Sequence, residues 1–337
     1  MAEPNPVFVS PNPHQHSSWR IKMDSLIEVF TAIFPVIGMI SVGVFLKKTQ
    51  WISRKGIDDI KFLVSRIMLT VAVFHALATA EYTDRTAILV FVLLIVDLAT
   101  FGYGFLIRPL FPADRAKYIP FLMSLYEGGM LAYPLYSNLC GSAALSKIAL
   151  LDISGLLFGF SIWMGMLQQQ EKGESMSPKA LALSALRTPT FIATVLGVIC
   201  GTTGFMKWFL ALPVSSVYLG CEKMIVSPLN AMILLAVGYD IDFHPEKIKE
   251  VIKPVICRLF IQSVAIAVVV FVISRLYKGD LQFIMAGVIY MSVPTTFSMQ
   301  TYIKDPDGCS YISTTNSIYM IVTIIAYAVC AFIYQPV

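Results

Sequence analysis

The amino-acid sequence predicts an all-α membrane protein in which ten transmembrane helices form two inverted repeats of five, with broken crossover helices 4 and 9. Three observations carry this prediction. Hydrophobic residues make up 57% of the 337 residues and charged residues only 14%, with a mean hydropathy of +0.73, whereas a soluble domain carries about 25% charged residues. Ten stretches approach the roughly 20 apolar residues that a helix needs to cross a bilayer. The fourth stretch of each half contains an interior proline, Pro134 or Pro294.

The ten stretches, named segments 1 to 10, fall into two halves joined by a short polar linker. The first repeat is predicted over residues 23–168, the cytoplasmic linker over 169–187 and the second repeat over 188–337. Segment 7 is the least regular and is expected to bend at Ser227 and Pro228. The segments cover residues 24–46, 57–80, 86–107, 119–140, 146–167, 188–204, 213–239, 251–276, 281–303 and 310–334.

Residues 1–22 are predicted to form a disordered N-terminal tail. They are rich in proline, serine and histidine and have no apolar core, which excludes a cleavable signal peptide. Met23 could be the native start.

Lysine and arginine are concentrated in the five connections that follow the odd-numbered segments. Because these residues are retained on the cytoplasmic side, this bias predicts a multi-pass protein of the plasma or inner membrane with both termini outside the cytoplasm. Five segments per half is an odd number, so two similarly folded halves must lie in opposite orientations. The basic residues of these connections are Lys47, Lys48, Arg54, Lys55, Arg108, Arg115, Lys117, Lys172, Lys179, Arg187, Lys247, Lys249, Lys253 and Lys304.

The sequence does not predict an enzyme or a bound cofactor. Its six cysteines are scattered without paired spacing and are expected to pack as small hydrophobic residues. His75 and His244 stand alone, outside any motif that would hold a catalytic metal.

Segment 4 is predicted to be broken near Pro134 and to carry the first half of a binding site. Its glycines, Gly128 and Gly129, loosen the helix, and Pro134 cannot donate to the carbonyl of Met130. Backbone groups freed at this depth must line a cavity or meet protein partners. Tyr126 and both glycines are therefore predicted to contact substrate, together with Pro134.

Glu127, within the same break, is the sharpest candidate for ion coupling because a charged residue inside a membrane segment is costly. Two roles remain open for it. One is exchange of a proton, and the other is ligation of sodium by Glu127 with a neighbouring carbonyl such as that of Met130.

Segment 9 is predicted to supply the second half of the site through Ser292, Pro294, Thr295 and Thr296. Where two such segments cross, half-helix N-termini favour an anion, and exposed carbonyls favour a cation. A proline kink healed by neighbouring helices is the alternative. Two breaks at corresponding positions, one holding a carboxylate, favour the site.

Five further residues complete the predicted site and its surroundings. Asp152 in segment 5 and Asp97 in segment 3 are candidates for ion coupling, although a structural hydrogen bond explains Asp97 equally well. Asn316 in segment 10 is predicted to contact substrate, since an amide both donates and accepts. Arg258 and Arg66 are candidates to neutralise an anionic substrate, but Arg258 is expected to extend to the cytoplasmic surface, and Arg66 to do the same or to pair with an acid.

The run FPVIGMISVGVFLKKTQWISRKGIDDIKFLVSRIMLTVAVFHALA resembles the opening of auxin efflux carrier family transporters. The motif ending in Pro134, the following Cys140-Gly141 pair and the segment containing Pro294 stand where that family has its crossover helices. The resemblance runs from Asp24 to the C-terminus. It implies a fold like that of sodium and bile acid symporters, with segments 1, 2, 6 and 7 as a scaffold and segments 3–5 and 8–10 as a moving transport core.

The resemblance also implies a secondary active transporter of a small organic anion, such as malate, malonate or an auxin-like acid. Transport would proceed by alternating access or elevator motion in a lipid bilayer, with a homodimer through the scaffold. Many members have asparagine where this chain has Glu127, and glycine where it has Ala132. That departure favours symport with H⁺ or Na⁺ and leaves room for a substrate with a positive group. A non-transporting membrane sensor or channel on the same fold is the alternative.

Overall fold

The computed structural model describes residues 13–172 and 177–334, and these residues form helices without any β-strand. Three π-helical turns, Val64–Met68, Gly128–Ala132 and Gly159–Trp163, connect or extend the α-helices. The α-helices are α1 (Pro13–Thr49), α2 (Arg54–Leu63), α3 (Leu69–Ala78), α4 (Asp84–Ile107), α5 (Ala113–Ala116), α6 (Ile119–Met123), α7 (Tyr133–Cys140), α8 (Leu145–Phe158), α9 (Met164–Lys172), α10 (Pro178–Leu186), α11 (Pro189–Thr202), α12 (Phe205–Leu210), α13 (Ser215–Val226), α14 (Leu229–Asp240), α15 (Ile248–Leu276), α16 (Leu281–Ser292), α17 (Met299–Tyr302) and α18 (Pro306–Ile333).

Seven helical stretches within the described residues are long and apolar enough to cross a membrane, which supports a multi-pass all-α membrane protein. An eighth span is possible if α10 and α11, which meet at an angle of 84°, count as one. The seven stretches are Val29–Thr49, Arg54–Ala78, Asp84–Leu110, Ser142–Glu171, Ser215–Asp240, Pro245–Leu276 and Pro306–Ile333.

Segment 4 is divided by an irregular stretch at residues 124–127, upstream of the predicted break at Pro134. Ser124 is extended (φ −125°, ψ 177°), Leu125 has a positive φ of 53°, and helical structure resumes after Glu127. Pro134 instead lies in α7, within a helical run that begins at Gly128 with a π-helical turn. The assignment of the break to Pro134 was therefore wrong, because the chain leaves the helix before it reaches the proline.

Segment 9 is divided at residues 293–298, between the end of α16 and the start of α17. Pro294 lies inside this stretch, as predicted. The residue before it, Val293, is extended (φ −79°, ψ 158°), the backbone that a following proline favours.

Several predicted boundaries also differ from the structure. Residues 1–12 of the predicted tail lie outside the described part of the chain, and α1 is already helical from Pro13. Most of the linker is also helical, because α10 begins at Pro178 behind the Ser177 cap. A turn at Ser227 and Pro228 separates α13 from α14, although the two helices still count as one candidate span.

The helices pack as two groups. The first group pairs α1 with α14 and α3 with α11. The second gathers α4, α6, α8, α15, α16 and α18 around the two broken segments. Glycines let α1 and α14 touch, since a Cβ at Gly43 would lie 2.1 Å from the Leu235 oxygen and one at Gly238 would lie 2.1 Å from the Ile40 oxygen.

Candidate functional site

The breaks of segments 4 and 9 contact each other directly. The backbone N–H of Glu127 donates to the carbonyl of Pro294 at 2.9 Å. The hydroxyl of Thr295 lies 3.0 Å from the carbonyl of Phe121 and 2.9 Å from that of Ser124. Each break thus satisfies backbone groups that the other leaves free.

Arg258 donates hydrogen bonds to both segments at this crossing. Its guanidinium comes from α15, is 1% exposed, and donates to the carbonyls of Leu122, Leu125 (3.3 Å) and Val293 (3.0 Å). These carbonyls lie where α6 and α16 end, at the negative ends of the helix dipoles. The expectation that Arg258 extends to the surface was wrong, because the free carbonyls of both breaks lie within its reach. One turn later Gln262 donates to the carbonyl of Met123 at 3.4 Å.

Glu127 is only 7% exposed, and three donors surround its carboxylate. The N–H of Met130 donates to Oε1 at 3.2 Å. The N–H of Phe297 and the hydroxyl of Thr296 donate to Oε2 at 2.6 and 3.1 Å. Donors from both breaks are therefore directed at the two oxygens of this carboxylate. Met130 contacts the Glu127 carboxylate through its N–H, whereas the predicted sodium site would use the Met130 carbonyl.

Asp152, on α8, lies near Glu127 and is more exposed than Glu127. Its Oδ1 accepts from the Tyr290 hydroxyl at 2.8 Å and its Oδ2 from the Tyr133 hydroxyl at 3.3 Å. Gly128 packs closely against this carboxylate and Gly155 against its Tyr290 partner. A Cβ at Gly128 would lie 2.7 Å from Asp152 Oδ1, and one at Gly155 would clash with the Tyr290 oxygen. These glycines are therefore required by close approach to the carboxylate.

A cavity of about 320 Å³ leads to Asp152 and Glu127. It reaches Thr188 and Tyr302, at ends of segments 6 and 9 that the charge pattern predicts to be cytoplasmic. Arg66 is the third charged side chain that lines it among the described residues. The predicted Pro294 does not line this cavity, whereas seven predicted site residues do: Tyr126, Glu127, Gly128, Gly129, Met130, Asp152 and Thr296.

Pro134, Ser292 and Thr295 were predicted to contact substrate, but none of them lines the cavity. Pro134 is buried in α7. Ser292 ends α16, where its hydroxyl donates to the carbonyl of Val288 at 2.6 Å. Thr295 is fully buried and bonds across the crossing. These residues pack around the crossing and do not face the cavity.

Asn316 lines a second cavity of about 380 Å³ instead of the one beside Glu127. Phe297, Gln300 and Thr301 line this second cavity, whereas Thr296 and Ser298 line the first. The chain that follows the second break therefore separates the two cavities. The Asn316 Nδ2 is buried without a hydrogen-bond partner in the described part of the chain.

Asp97 reaches neither cavity. It is fully buried on α4, and neither carboxylate oxygen has a partner among the described residues. Its backbone carbonyl accepts from Thr100 at 3.0 Å. Asp97 lies behind the wall of the first cavity, near Asp152 and Tyr126, and does not line it.

The aromatic lining was not predicted, and Arg66 was expected to extend to the surface or to pair with an acid rather than to contact substrate. Arg66 is exposed and donates to the carbonyl of Arg187 at 3.2 Å. Phe160, Trp163 and Tyr302 add aromatic faces. A helical period would have indicated part of this wall, because Gly155, Gly159 and Trp163 recur every four residues on one face.

No protein-family model and no curated protein matches this chain.

Proposed function

We propose that the protein is a secondary active transporter of a small organic carboxylate that works by alternating access. The observation that carries this proposal is the cavity whose inner end is the crossing of two broken membrane segments. Discontinuous helices that meet at the substrate site are the recurrent arrangement of such transporters. The resemblance to auxin efflux carrier family transporters is part of the same proposal.

The proposed architecture has ten segments in two inverted repeats. Its support is positional, since the fourth and ninth predicted segments are each divided by an irregular stretch of four to six residues, and those stretches contact each other. Neither segment has a helix long enough on one side of its break to count as a span. Segment 6 counts only when α11 is joined to α10, so fewer candidate spans than segments are found.

The two groups of helices would move past each other as scaffold and transport core. Ion pairs lie beside each group, as with Lys47–Asp242, Arg54–Asp240 and Lys61–Asp240 at the end of α14 and Arg115–Glu250, Lys247–Asp307 and Lys147–Asp280 at the ends of α15, α16 and α18. Contacts between the groups include hydrogen bonds, such as that from Tyr327 on α18 to the carbonyl of Ala32 on α1, and these would break when the groups slide.

The carboxylate of the substrate would bind Arg66 at the outer end of the cavity. A guanidinium is a planar, bidentate partner for a carboxylate. The hydroxyls of Ser65, Thr188 and Thr190 line the same end and can donate to the second oxygen.

The coupling cation, H⁺ or Na⁺, would bind at the inner end of the cavity, where the carboxylates of Glu127 and Asp152 both lie. Glu127 already accepts from three donors, whereas Asp152 accepts only from two phenols and faces the cavity. Both termini would lie outside the cytoplasm, and the first group would form the homodimer contact.

Flux into proteoliposomes tests the proposal. We expect a radiolabelled carboxylate to accumulate when a proton or sodium gradient is imposed, and to dissipate with the gradient. Flux that ignores both gradients would contradict coupling. Stepwise single-channel currents in a planar bilayer would favour the channel alternative.

A further inference from the structure

Glu127 occupies the position where a substrate anion would bind in a crossing of half-helices. The groups that such an anion would use, the N–H groups of Met130 and Phe297 and the hydroxyl of Thr296, already donate to the Glu127 carboxylate. A second anion at this point would meet like charge and lack free donors. The inner end of the cavity is therefore closed to a carboxylate.

Asp152 offers the opposite chemistry at the same end. Its two phenolic partners lie 2.8 and 3.3 Å away and leave acceptor positions on both oxygens. Gly128 and Gly155 pack closely against this carboxylate and its Tyr290 partner, so a side chain at either position would displace them. Tyr126 lines the same wall, and its hydroxyl is buried with no hydrogen-bond partner in the described chain.

Charge is distributed unevenly along this cavity. Two carboxylates lie at the inner end, and one guanidinium, Arg66, lies toward the outer end. Phe160, Trp163 and Tyr302 form aromatic walls, and aromatic faces attract organic cations. A volume of about 320 Å³ is far larger than a single inorganic ion needs and suits a small organic molecule.

We infer that the substrate is zwitterionic: its protonated amine binds Asp152 and its carboxylate binds Arg66, so that it belongs to the amino-acid class. This inference rests on the proposed transport function for the carboxylate end and adds the amine end from the lining of the cavity. A dicarboxylate would place its second negative charge against Asp152 and Glu127. A simple amine would leave Arg66 without a partner.

Ligand stabilisation of the purified full-length protein tests the inference independently of transport. The twenty L-amino acids are screened by thermal shift in sodium-free buffer. The best ligand is then compared with its analogue lacking the amine and its analogue lacking the carboxylate. We expect the intact amino acid to raise the midpoint and the analogue without the amine to lose roughly 30-fold or more in affinity, because it leaves Asp152 unpaired. The analogue without the carboxylate should lose less, because its partner Arg66 is exposed.

Variants locate the two ends of the ligand. Asp152→Asn should abolish the shift by the amino acid, and Arg66→Gln should weaken it, while Asp59→Asn on the exposed face of α2 should leave it unchanged. Gly128→Ala provides a second route if Asp152→Asn does not fold, because the added methyl group would lie 2.7 Å from Asp152 Oδ1 and displace the carboxylate that binds the amine.

Three results would overturn the inference: equal binding of the analogue without the amine, no shift with any amino acid, or an unchanged shift in Asp152→Asn and Gly128→Ala. A shift produced by sodium chloride alone, and lost in Asp152→Asn, would assign the position to the inorganic cation instead. Counterflow in proteoliposomes separates this question from the proposed function. Exchange of dicarboxylates but not amino acids would retain the transporter and reject the zwitterion, whereas binding without any exchange would reject the transporter alone.

Discussion

The two broken segments meet at one crossing but bring opposite chemistry to it. The break of segment 4 supplies a carboxylate, Glu127, while the break of segment 9 supplies donors, the hydroxyl of Thr296 and the N–H of Phe297. Two of the three donors to Glu127 therefore come from the other half of the chain, and the third is the N–H of Met130. If the halves derive from one repeated unit, as proposed, function has made them complementary instead of identical at the point where they meet.

The two breaks also share one element, Arg258, whose removal should have the largest effect on their pairing. Arg258→Met would leave three buried carbonyls without a donor, each at a cost of about 1–3 kcal/mol. We expect a loss of several kcal/mol in stability and poor recovery of folded protein, measured by thermal unfolding in detergent. The exposed Arg85→Met is the matched control. A midpoint equal to that of the wild type would remove Arg258 from its assigned role.

Replacing the charge of the first break should abolish transport. In Glu127→Gln, the side-chain amide would turn an NH₂ group toward at least one of the N–H donors that now bind the carboxylate. Gradient-driven uptake should disappear while enough folded protein remains to measure it. Glu81→Gln, at an exposed position, is the control. Full coupled uptake by Glu127→Gln would show that the asymmetry between the breaks has no part in the mechanism.

Two adjacent threonines of the second break should separate structure from function. Thr295→Val removes a hydroxyl that bonds across the crossing, so its expected effect is a loss of stability of about 1–2 kcal/mol. Thr296→Val removes a donor to Glu127, so its expected effect is a lower uptake rate with a smaller change in stability. Uptake and thermal midpoint are measured for both. The reverse pattern would mean that the two side chains have been assigned to the wrong roles.

The smallest predicted effect concerns the other end of segment 9, where Asp280 precedes α16. Burial alone would raise the pKa of Asp280, but the ammonium of Lys147, 2.8 Å away, and the N–H of Phe283 hold it below the ordinary 3.8. Because the pKa is lower in the folded state, this contribution to stability is complete above the ordinary value and is lost as pH falls through the folded-state pKa.

The midpoint difference between the wild type and Asp280→Asn measures this effect. It should be a few degrees at neutral pH and shrink in acid below the ordinary value for aspartate. A difference that does not change with pH would mean that the ion pair contributes nothing.

The sequence could predict those site residues whose burial in a membrane costs free energy. Glu127 and Asp152 were identified because a charge inside an apolar segment needs a reason, and Gly128 and Gly129 because adjacent glycines weaken a helix. Both carboxylates and both glycines line the cavity. Asp97 satisfied the same criterion but lies behind the cavity wall. The cost of a charge in a membrane does not indicate which face of a helix borders the cavity.

Other features depended on contacts between distant parts of the chain. The sequence could not show that residues 124–127, rather than Pro134, leave the helix, because the extended backbone there is stabilised by Arg258 and Thr295 from other segments. Asn316 and Thr296 were grouped at one site, but the chain after the second break separates the cavities that they line. Arg66 gained its place only through the approach of segments 2, 5 and 6.

Composition and apolar periodicity alone determined that this is a helical membrane protein with paired interruptions, because a bilayer requires long apolar helices and penalises any backbone group left without a partner. The tertiary structure decided how those interruptions are used. It brought Glu127 against donors from the other half of the chain and left Asp152 facing an open cavity. Hydrogen-bond satisfaction between segments that lie about 170 residues apart in sequence is a property of packing, and local sequence does not encode it.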